Sequence, residues 1–366
     1  MKFTIITSFY NGSHFISRLY EKIKSQTYTN WEWIVTDDFS SDAEDAKEIL
    51  SYISSRDRKV KYVEQSFKKE MFYNPQNFCK EAEIIIQADQ DDYPLPKALE
   101  VYHHFFTKFP DTIAIAGAGN AFREDGNWMN FHNPDFTDQK NMTCGYLTYL
   151  RAWRNNPNID YDFNPNGWMK YYYNDLAILC TLEEQGKILH LPRNLYYYNY
   201  RENSISHTFY ANESVDEGSE LIKKVNNRRI NKDIDTFNRY FEPIHKESLC
   251  LMDHHLNNVN TQQKIVYLDR QLDFKKYSLL KELFFDHELN INKIDGDEDA
   301  LVCVLRDESD LDYFLNTDRQ YNIKKCQLVI WNQAENPYTN ILLSRIPQYY
   351  QCYYFAAYQS IINIIK

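Results

Sequence analysis

Three carboxylates crowd into four residues directly after an apolar run: Asp89, Asp91 and Asp92 follow residues 84–88, Ile-Ile-Ile-Gln-Ala. Like charges this close repel one another, so such a cluster usually persists where a cation neutralises it. Mg²⁺ and Mn²⁺ take oxygen ligands and commonly bridge carboxylates to phosphates. The cluster therefore predicts a divalent-metal clamp on a diphosphate. An acidic, solvated turn before a helix would contain the same residues.

Strand and helix patterns alternate through the first 116 residues, around these carboxylates. Ser13 lies where it could cap the first helix, and Asn11-Gly12 before it supplies a turn that tolerates positive φ. Such alternation predicts an α/β domain with a mostly parallel sheet. The predicted strands are 3–7, 31–36, 60–63, 84–88 and 113–116, and the predicted helices begin at 13, 42 and 97.

Polar side chains end three of the predicted strands. Thr7 and Tyr10 follow the first, Asp37-Asp38 the second, and the carboxylate cluster the fourth. Ligands of parallel sheets bind beyond the carboxyl ends of the strands. We therefore expect these three groups to converge on one binding site.

The rest of the chain divides into a connector and a second α/β unit. A helix is expected around 173–184 and a strand after Gly186, and residues 211–240 are charged and helical in character. Strand and helix patterns resume after about 245. The predicted domains are 1–210, 211–244 and 245–366, the last being a smaller α/β domain of unknown role.

Composition excludes several classes of protein. The formal charge of −11 argues against a nucleic-acid partner. The seven scattered cysteines form neither a disulfide framework nor a zinc cage. No stretch approaches the roughly 18 apolar residues of a membrane span, and the first residues lack the apolar segment of a signal peptide. The expected location is cytoplasmic.

Four motifs follow one another in register along the chain. They are residues 4–12, Ser25-Gln26-Thr27, residues 35–42 and Asp89-x-Asp91-Asp92 followed by a proline. Together they resemble the inverting family 2 glycosyltransferases of the GT-A fold, over about residues 1–210. The resemblance implies a nucleoside-diphosphate sugar, with UDP favoured, and Mn²⁺ or Mg²⁺ as cofactor.

The resemblance also implies roles for single residues. Thr7 and Tyr10 would line the base pocket, Asp37 would accept a hydrogen bond from the base, Asp89 would reach the ribose or the metal, and Asp91 would bind the metal. Simpler interpretations are a strand-end residue for Thr7, a turn aromatic for Tyr10, and a helix N-cap for Asp37 or its neighbour Asp38.

An inverting transfer needs a general base, which the family draws from a Glu-Asp pair at a helix start. This chain has Asn174-Asp175 there, so Asp175 is the expected base and Asn174 departs from the pattern. The alternative for Asp175 is a carboxylate stabilised by the helix dipole.

Basic residues complete the expected site. Lys69, or its neighbour Lys68, and Arg201 would meet the diphosphate, and His207 would contact the metal or diphosphate. The family's closing Tyr-Arg-x-His arrangement is not kept, since Asn199 and Arg201 occupy the Arg and His places.

The predicted function is transfer of a sugar to a hydroxyl of a saccharide or lipid-linked saccharide. A nucleotidyltransferase is disfavoured, because only Gly12 follows the first strand where a Gly-rich phosphate loop is expected. The other alternative is an inactive, transferase-like carbohydrate-binding or scaffold protein. The last domain could hold the acceptor, mediate dimers or be a degenerate transferase. Residues 349–366 are apolar enough to dock on a membrane or partner, although core packing is commoner.

Overall fold

The computed structural model of the chain describes a defined set of residues. They are 1–37, 40–63, 79, 81–123, 128–131, 151–156, 178, 182–200, 223, 225–227, 229–231, 237–240, 264–268, 270, 274–286, 288–291, 293, 300–303, 305, 308–321, 327–331, 345, 351–355 and 361–364.

The chain forms two compact units. The first comprises Met1–Gly126, Phe131–Leu191 and Leu195–Tyr240, and the second comprises Asn127–Asn130, Pro192–Asn194 and Phe241–Lys366. The predicted connector over 211–244 is helical at residues 223, 225–227 and 229–231, and a strand follows at Phe237–Tyr240. The domain boundaries drawn from the sequence stay a prediction.

Four parallel strands, all predicted from the sequence, form one half of the main sheet. Ile5 of the central strand lies opposite Trp33 on one side and Ile86 on the other. The carboxyl ends of these strands lie at one edge, which confirms the predicted parallel arrangement. In spatial order the strands are β3 (Val60–Val63), β2 (Trp31–Asp37), β1 (Phe3–Phe9) and β4 (Ile84–Gln87).

Antiparallel pairing extends the sheet beyond β4. The short β8 (Arg151–Arg154) runs antiparallel to β4 and to β6 (Thr112–Arg123). The path continues through β9 (Lys187–Tyr200) to β10 (Phe237–Tyr240), which runs parallel to β9. The two-residue β5 (Tyr93–Pro94) pairs with β9, and β7 (Trp128–Phe131) follows β6 in the chain.

Three helices of the first unit follow the predicted apolar spacing. They are α1 (Ser13–Lys24), α2 (Ala43–Arg56) and α3 (Ala98–Lys108). Helix α1 buries Ile16, Leu19, Tyr20 and Ile23, four of the five residues whose spacing predicted it, and leaves Phe15 partly exposed. It packs against α2, while α2 packs against β3 and α3 against β6.

One buried glutamine explains the Ser-Gln-Thr motif at 25–27. Gln26 is 3% exposed, and its Nε2 donates to the carbonyl oxygens of Lys22 and Leu95. Its Oε1 accepts the N–H of Leu99. A buried amide is tolerated only when it is hydrogen-bonded. Gln26 therefore fixes the start of α3, just beyond the carboxylate cluster.

The second unit is also built from strands and helices, as predicted. Strand β11 (Lys264–Leu268) lies parallel to and between β12 (Glu288–Ile291) and β13 (Ala300–Cys303). Strand β14 (Gln327–Trp331) runs parallel to β15 (Gln351–Phe355), which pairs antiparallel with β16 (Ile361–Ile364). The helices are α4 (Phe274–Leu283) and α5 (Glu308–Tyr321). Throughout the described part of the chain, no helix has the length and apolar character needed to cross a membrane.

Candidate functional site

The loop after β1 is shaped by a residue in the left-handed region. Asn11 has a φ of 48°, whereas Gly12 has a φ of −148°, so the predicted turn takes its positive φ at Asn11. Oδ1 of Asn11 accepts the N–H of Ser41 at 2.7 Å and its hydroxyl at 3.0 Å. The N–H of Asn11 donates to Oγ of Ser40 at 3.1 Å. These bonds join the loop that carries Tyr10 to the loop after β2.

Asp37 closes the loop after β2. It is 4% exposed, and its Oδ1 accepts the N–H of Ser40 at 3.0 Å. Such a bond from an Asp to a nearby main-chain N–H stabilises a turn. The N-cap residue of α2 is Asp42, so the helix-cap interpretation of Asp37 is wrong. Its contact with a base stays a prediction.

Thr7 lies in the core below the edge of the sheet. It is 1% exposed, and its hydroxyl accepts a hydrogen bond from Nε1 of Trp33 at 2.9 Å. The hydroxyl oxygen of Thr7 therefore already accepts a hydrogen bond from the buried indole N–H of Trp33. The predicted role of Thr7 in the base pocket remains a prediction, and we expect its main-chain atoms to make any such contact.

The carboxylate of Asp42 lies at the N-termini of two helices. Asp42 is the N-cap residue of α2, and its Oδ2 accepts the N–H of Ser13, the first residue of α1, at 2.9 Å. The N-cap residue of α1 is Gly12, so the predicted capping role of Ser13 is wrong. Because helix N-termini are positive, the carboxylate of Asp42 stabilises both helices and fixes the two loops that precede them.

The motif loop, residues 89–92, is held by hydrogen bonds from three elements. The N–H of Asp89 donates to the hydroxyl of Tyr196 at 3.2 Å, and its Oδ1 accepts Nε2 of Gln87 at 3.2 Å. The carbonyl oxygen of Asp91 accepts Nη2 of Arg18 at 2.8 Å. Asp89 and Asp91 are both partly exposed. Their backbone is therefore fixed while their side chains stay accessible.

Arg18 and two tyrosines brace the outer side of the motif loop. The guanidinium of Arg18 lies 5.0 Å from the ring centre of Tyr93, which stacks on Tyr197 with 4.4 Å between ring centres. Cation and stacking contacts of this kind each stabilise a local arrangement by about 1 kcal/mol. None of these residues was predicted to belong to the site, although the tyrosine-rich run of β9 is a signal that could have indicated it.

Asp92 is separate from the other two carboxylates. It is 1% exposed, and its Oδ1 accepts the N–H of Asn199 in β9 at 2.8 Å. Burial, followed by the charges of Asp91 and Asp89, raises the pKa of Asp92 well above its usual value. The interpretation of all three carboxylates as one metal-facing cluster is therefore corrected. Asp92 anchors the motif loop to β9.

Asp92 variants test this anchoring role. Asp92→Ala should lower the free energy of unfolding by about 1–3 kcal/mol, because the part-buried N–H of Asn199 loses its acceptor. Asp92→Asn should stay within about 1 kcal/mol of the wild type, because it keeps that acceptor and removes a charge that burial disfavours. Urea unfolding of both variants measures the difference. Equal destabilisation by the two substitutions would contradict this role.

The carboxylates of this site suit a cation that is bound partly by the protein and partly by substrate phosphates. Among the described residues, no three His, Cys, Asp or Glu side chains form a group that could hold a metal. Mg²⁺ is typically bound by one or two carboxylates and substrate phosphates rather than by an all-protein cage. Two accessible carboxylates, Asp89 and Asp91, fit that pattern.

Several predicted site residues lie outside the described residues. They are Asp38, Lys68, Lys69, Asn174, Asp175, Arg201 and His207. Their roles stay predictions. The structure brings together the loops of Tyr10, Asp37, and Asp89 with Asp91, which are the three strand-end groups expected to converge.

Residues 4–175 match the family described as Glycosyl transferase family 2. EpsE of Bacillus subtilis (strain 168), whose naming as a glycosyltransferase is itself provisional, is 30% identical over 111 residues. That alignment covers 29% of this chain and 39% of EpsE. The chain therefore spans well under half the length of this relative.

Solved structures are also similar to this chain, at lower identity, and they include the following two. A structure of S. aureus TarS, residues 1–349, in complex with UDP-GlcNAc is 15% identical, with a TM-score of 0.45 over 78% of this chain and 81% of that one. The mannosyltransferase PcManGT from Pyrobaculum calidifontis, in complex with GDP-Man and Mn²⁺, is 14% identical, with a TM-score of 0.35 over 55% of each chain.

Proposed function

Residues 4–175 match glycosyl transferase family 2, and from this premise we propose that the chain transfers a sugar from a nucleoside-diphosphate sugar to an acceptor hydroxyl. The match confirms the resemblance to family 2 glycosyltransferases, and the described residues form the expected α/β architecture with a mostly parallel sheet. The finer proposal is an inverting, Mn²⁺- or Mg²⁺-dependent reaction that favours a UDP-sugar.

One observation carries the proposal. The loops after β1, β2 and β4 are hydrogen-bonded to one another at the carboxyl edge of a parallel sheet, where such folds bind nucleotides. Tyr10, Asp37, and Asp89 with Asp91 are carried by these loops. A base held by the first two loops would direct its diphosphate toward the third.

The proposed site residues divide into those that bind the nucleotide sugar and those that take part in the reaction. Tyr10 stacks on the base and Asp37 accepts a hydrogen bond from its edge, while Asp89 and Asp91 would hold the cation, with His207 as a further ligand. The cation would neutralise the charge that develops on the leaving diphosphate. Lys69 and Arg201 would contact the same diphosphate.

Asp175 would act as the general base on the other face of the sugar. It accepts the proton of the acceptor hydroxyl as that oxygen forms a bond to the anomeric carbon. The bond from this carbon to the diphosphate breaks, and the diphosphate leaves with the electron pair. Attack opposite the leaving group inverts the configuration.

The acceptor is proposed to be a saccharide or lipid-linked saccharide. Contact of residues 349–366 with a membrane and association between copies of the chain stay predictions from the sequence.

Calorimetric titration with UDP, GDP and CDP, each with and without Mn²⁺, tests the donor site. We expect Mn²⁺-dependent binding of one nucleotide, and Asp91→Ala should weaken binding in the presence of Mn²⁺ by about 10²-fold or more, since it removes a charged ligand. Lys97→Ala, which removes a partly exposed charge at the start of α3 instead, is the control and should bind as the wild type. Failure of all three nucleotides to bind would support the inactive, transferase-like alternative.

A further inference from the structure

Gln90 lies between the two proposed metal ligands, yet its side chain reaches a different loop. Its Oε1 accepts the N–H of Tyr10 at 2.9 Å, and its Nε2 donates to the carbonyl oxygen of Tyr10 at 2.8 Å. Both halves of one amide are thus engaged by a single residue 80 positions earlier in the chain. We name this pair of bonds the Gln90 clamp.

Gly12 provides the space for the Gln90 clamp. A Cβ added at Gly12 would lie 2.7 Å from Cδ and Oε1 of Gln90 and 2.8 Å from its Nε2. Those separations are too short for unbonded atoms, so a side chain here would displace the amide. The φ of Gly12, −148°, is open to other residues. The requirement for glycine therefore comes from the amide of Gln90 and not from the backbone.

Other hydrogen bonds attach each of the two loops to different parts of the molecule, whereas the Gln90 clamp connects the loops directly to each other. Asn11 joins the loop after β1 to Ser40 and Ser41. Arg18 and Tyr196 join the motif loop to α1 and β9. The Gln90 clamp links the proposed base-binding loop to the proposed metal-binding loop.

We propose that Gln90 is a positioning residue that couples nucleotide binding to metal binding, an inference that rests on the proposed function. A nucleotide that orders the Tyr10 loop also orders the motif loop through the clamp, which lowers the entropic cost of binding the cation. Linkage is reciprocal, so the cation raises nucleotide affinity by the same factor.

A Gln90→Met variant tests the coupling, because methionine keeps the length of the side chain and removes both hydrogen bonds. The measurement is the ratio of UDP dissociation constants without and with Mn²⁺, obtained by calorimetry on the full chain, or with GDP or CDP if one of those binds tighter. We expect this ratio to fall by about fivefold or more relative to the wild type, the lower end of typical coupling between sites. Gly12→Ala should lower the ratio in the same direction.

The matched control is Gln26→Met, the same substitution at the buried glutamine before β2. Its amide also makes several hydrogen bonds, but they go to Lys22, Leu95 and Leu99 rather than to the Tyr10 loop. We expect a lower melting temperature and an unchanged ratio. A purely structural role for Gln90 would lower the melting temperature in the same way and leave the ratio alone.

Each outcome decides the inference. A folded Gln90→Met variant with the wild-type ratio overturns it, and so does an equal loss of the ratio in Gln26→Met. If Gln90→Met does not fold, Gly12→Ala decides by the same criterion. If the wild-type protein binds a nucleotide with the same affinity with and without Mn²⁺, that result overturns the inference but not the proposed sugar transfer. Wild-type protein that binds no nucleotide overturns the proposed function, and the inference with it.

Discussion

Replacing Asp175 by Asn is expected to lower kcat by about 10²–10⁴-fold, the usual contribution of a positioned general base. Asparagine keeps the size of the side chain but cannot take the proton of the acceptor hydroxyl. Because the base acts on the acceptor, the affinity for nucleotide should change by no more than about twofold. The measurement is release of nucleoside diphosphate from the nucleotide sugar that titration selects, together with calorimetry of the variant.

Asp111→Asn is the matched control for this substitution. Asp111 lies just before β6 and pairs with Lys187, and both side chains are about half exposed. The same loss of one carboxylate there should leave kcat unchanged. If Asp175→Asn kept more than about a tenth of the wild-type kcat, the base would have to be another residue. A parallel loss of nucleotide affinity would instead assign Asp175 to donor binding.

The periodic parts of the fold could be predicted because each rests on local residues. Helix α1 follows from the spacing of Ile16, Leu19 and Ile23, which all face the core. Strands β1 and β4 follow from apolar runs that are buried in a parallel sheet. Strand β8 has only Ala152 and Trp153 as its apolar residues, so its pairing with β4 and β6 carries no local signal.

Residue types alone could not divide the roles within the carboxylate cluster, because the division depends on residues far away in the chain. Only the family resemblance gave metal or ribose roles to Asp89 and Asp91 and none to Asp92. Asp91 and Asp92 are neighbours of the same type. Only the fold places the N–H of Asn199, 107 positions later, against Asp92. Similarly, the partner of the α1 start is Asp42, which lies 29 positions beyond Ser13. The local sequence thus indicated three neighbouring carboxylates but not that Asp92 is the buried one.

The pair Arg228-Arg229 illustrates the same difficulty, because a charged segment is normally interpreted as solvent-exposed. Arg229 is fully buried, and its Nη1 lies 2.7 Å from Oε2 of Glu183 while its Nε lies 2.8 Å from Oε1 of Glu184. These glutamates belong to the helical residues 182–185. A guanidinium can satisfy two carboxylates at once in a way that a lysine cannot. The pairing therefore ties the predicted connector to the first unit.

Arg229→Met is expected to lower the free energy of unfolding by about 3–5 kcal/mol, the usual effect of removing one partner of a buried ion pair. Methionine fills much of the volume, so the loss comes mainly from the buried charge of Glu183, whose side chain is 2% exposed. Urea unfolding of the full chain, followed by the fluorescence of buried Trp33 and Trp153, measures the change.

Two further variants separate charge burial from packing. Lys187→Met removes the cation of the exposed pair with Asp111, and it should cost no more than about 1 kcal/mol because water screens both charges. Adding Glu183→Gln to Arg229→Met should recover part of the lost stability, since the neutral amide no longer requires a cation in the core. If the double variant were less stable than Arg229→Met alone, the stabilisation by Arg229 would have to come from packing of its side chain and not from neutralisation of Glu183. The connector would then be attached to the first unit by shape rather than by charge.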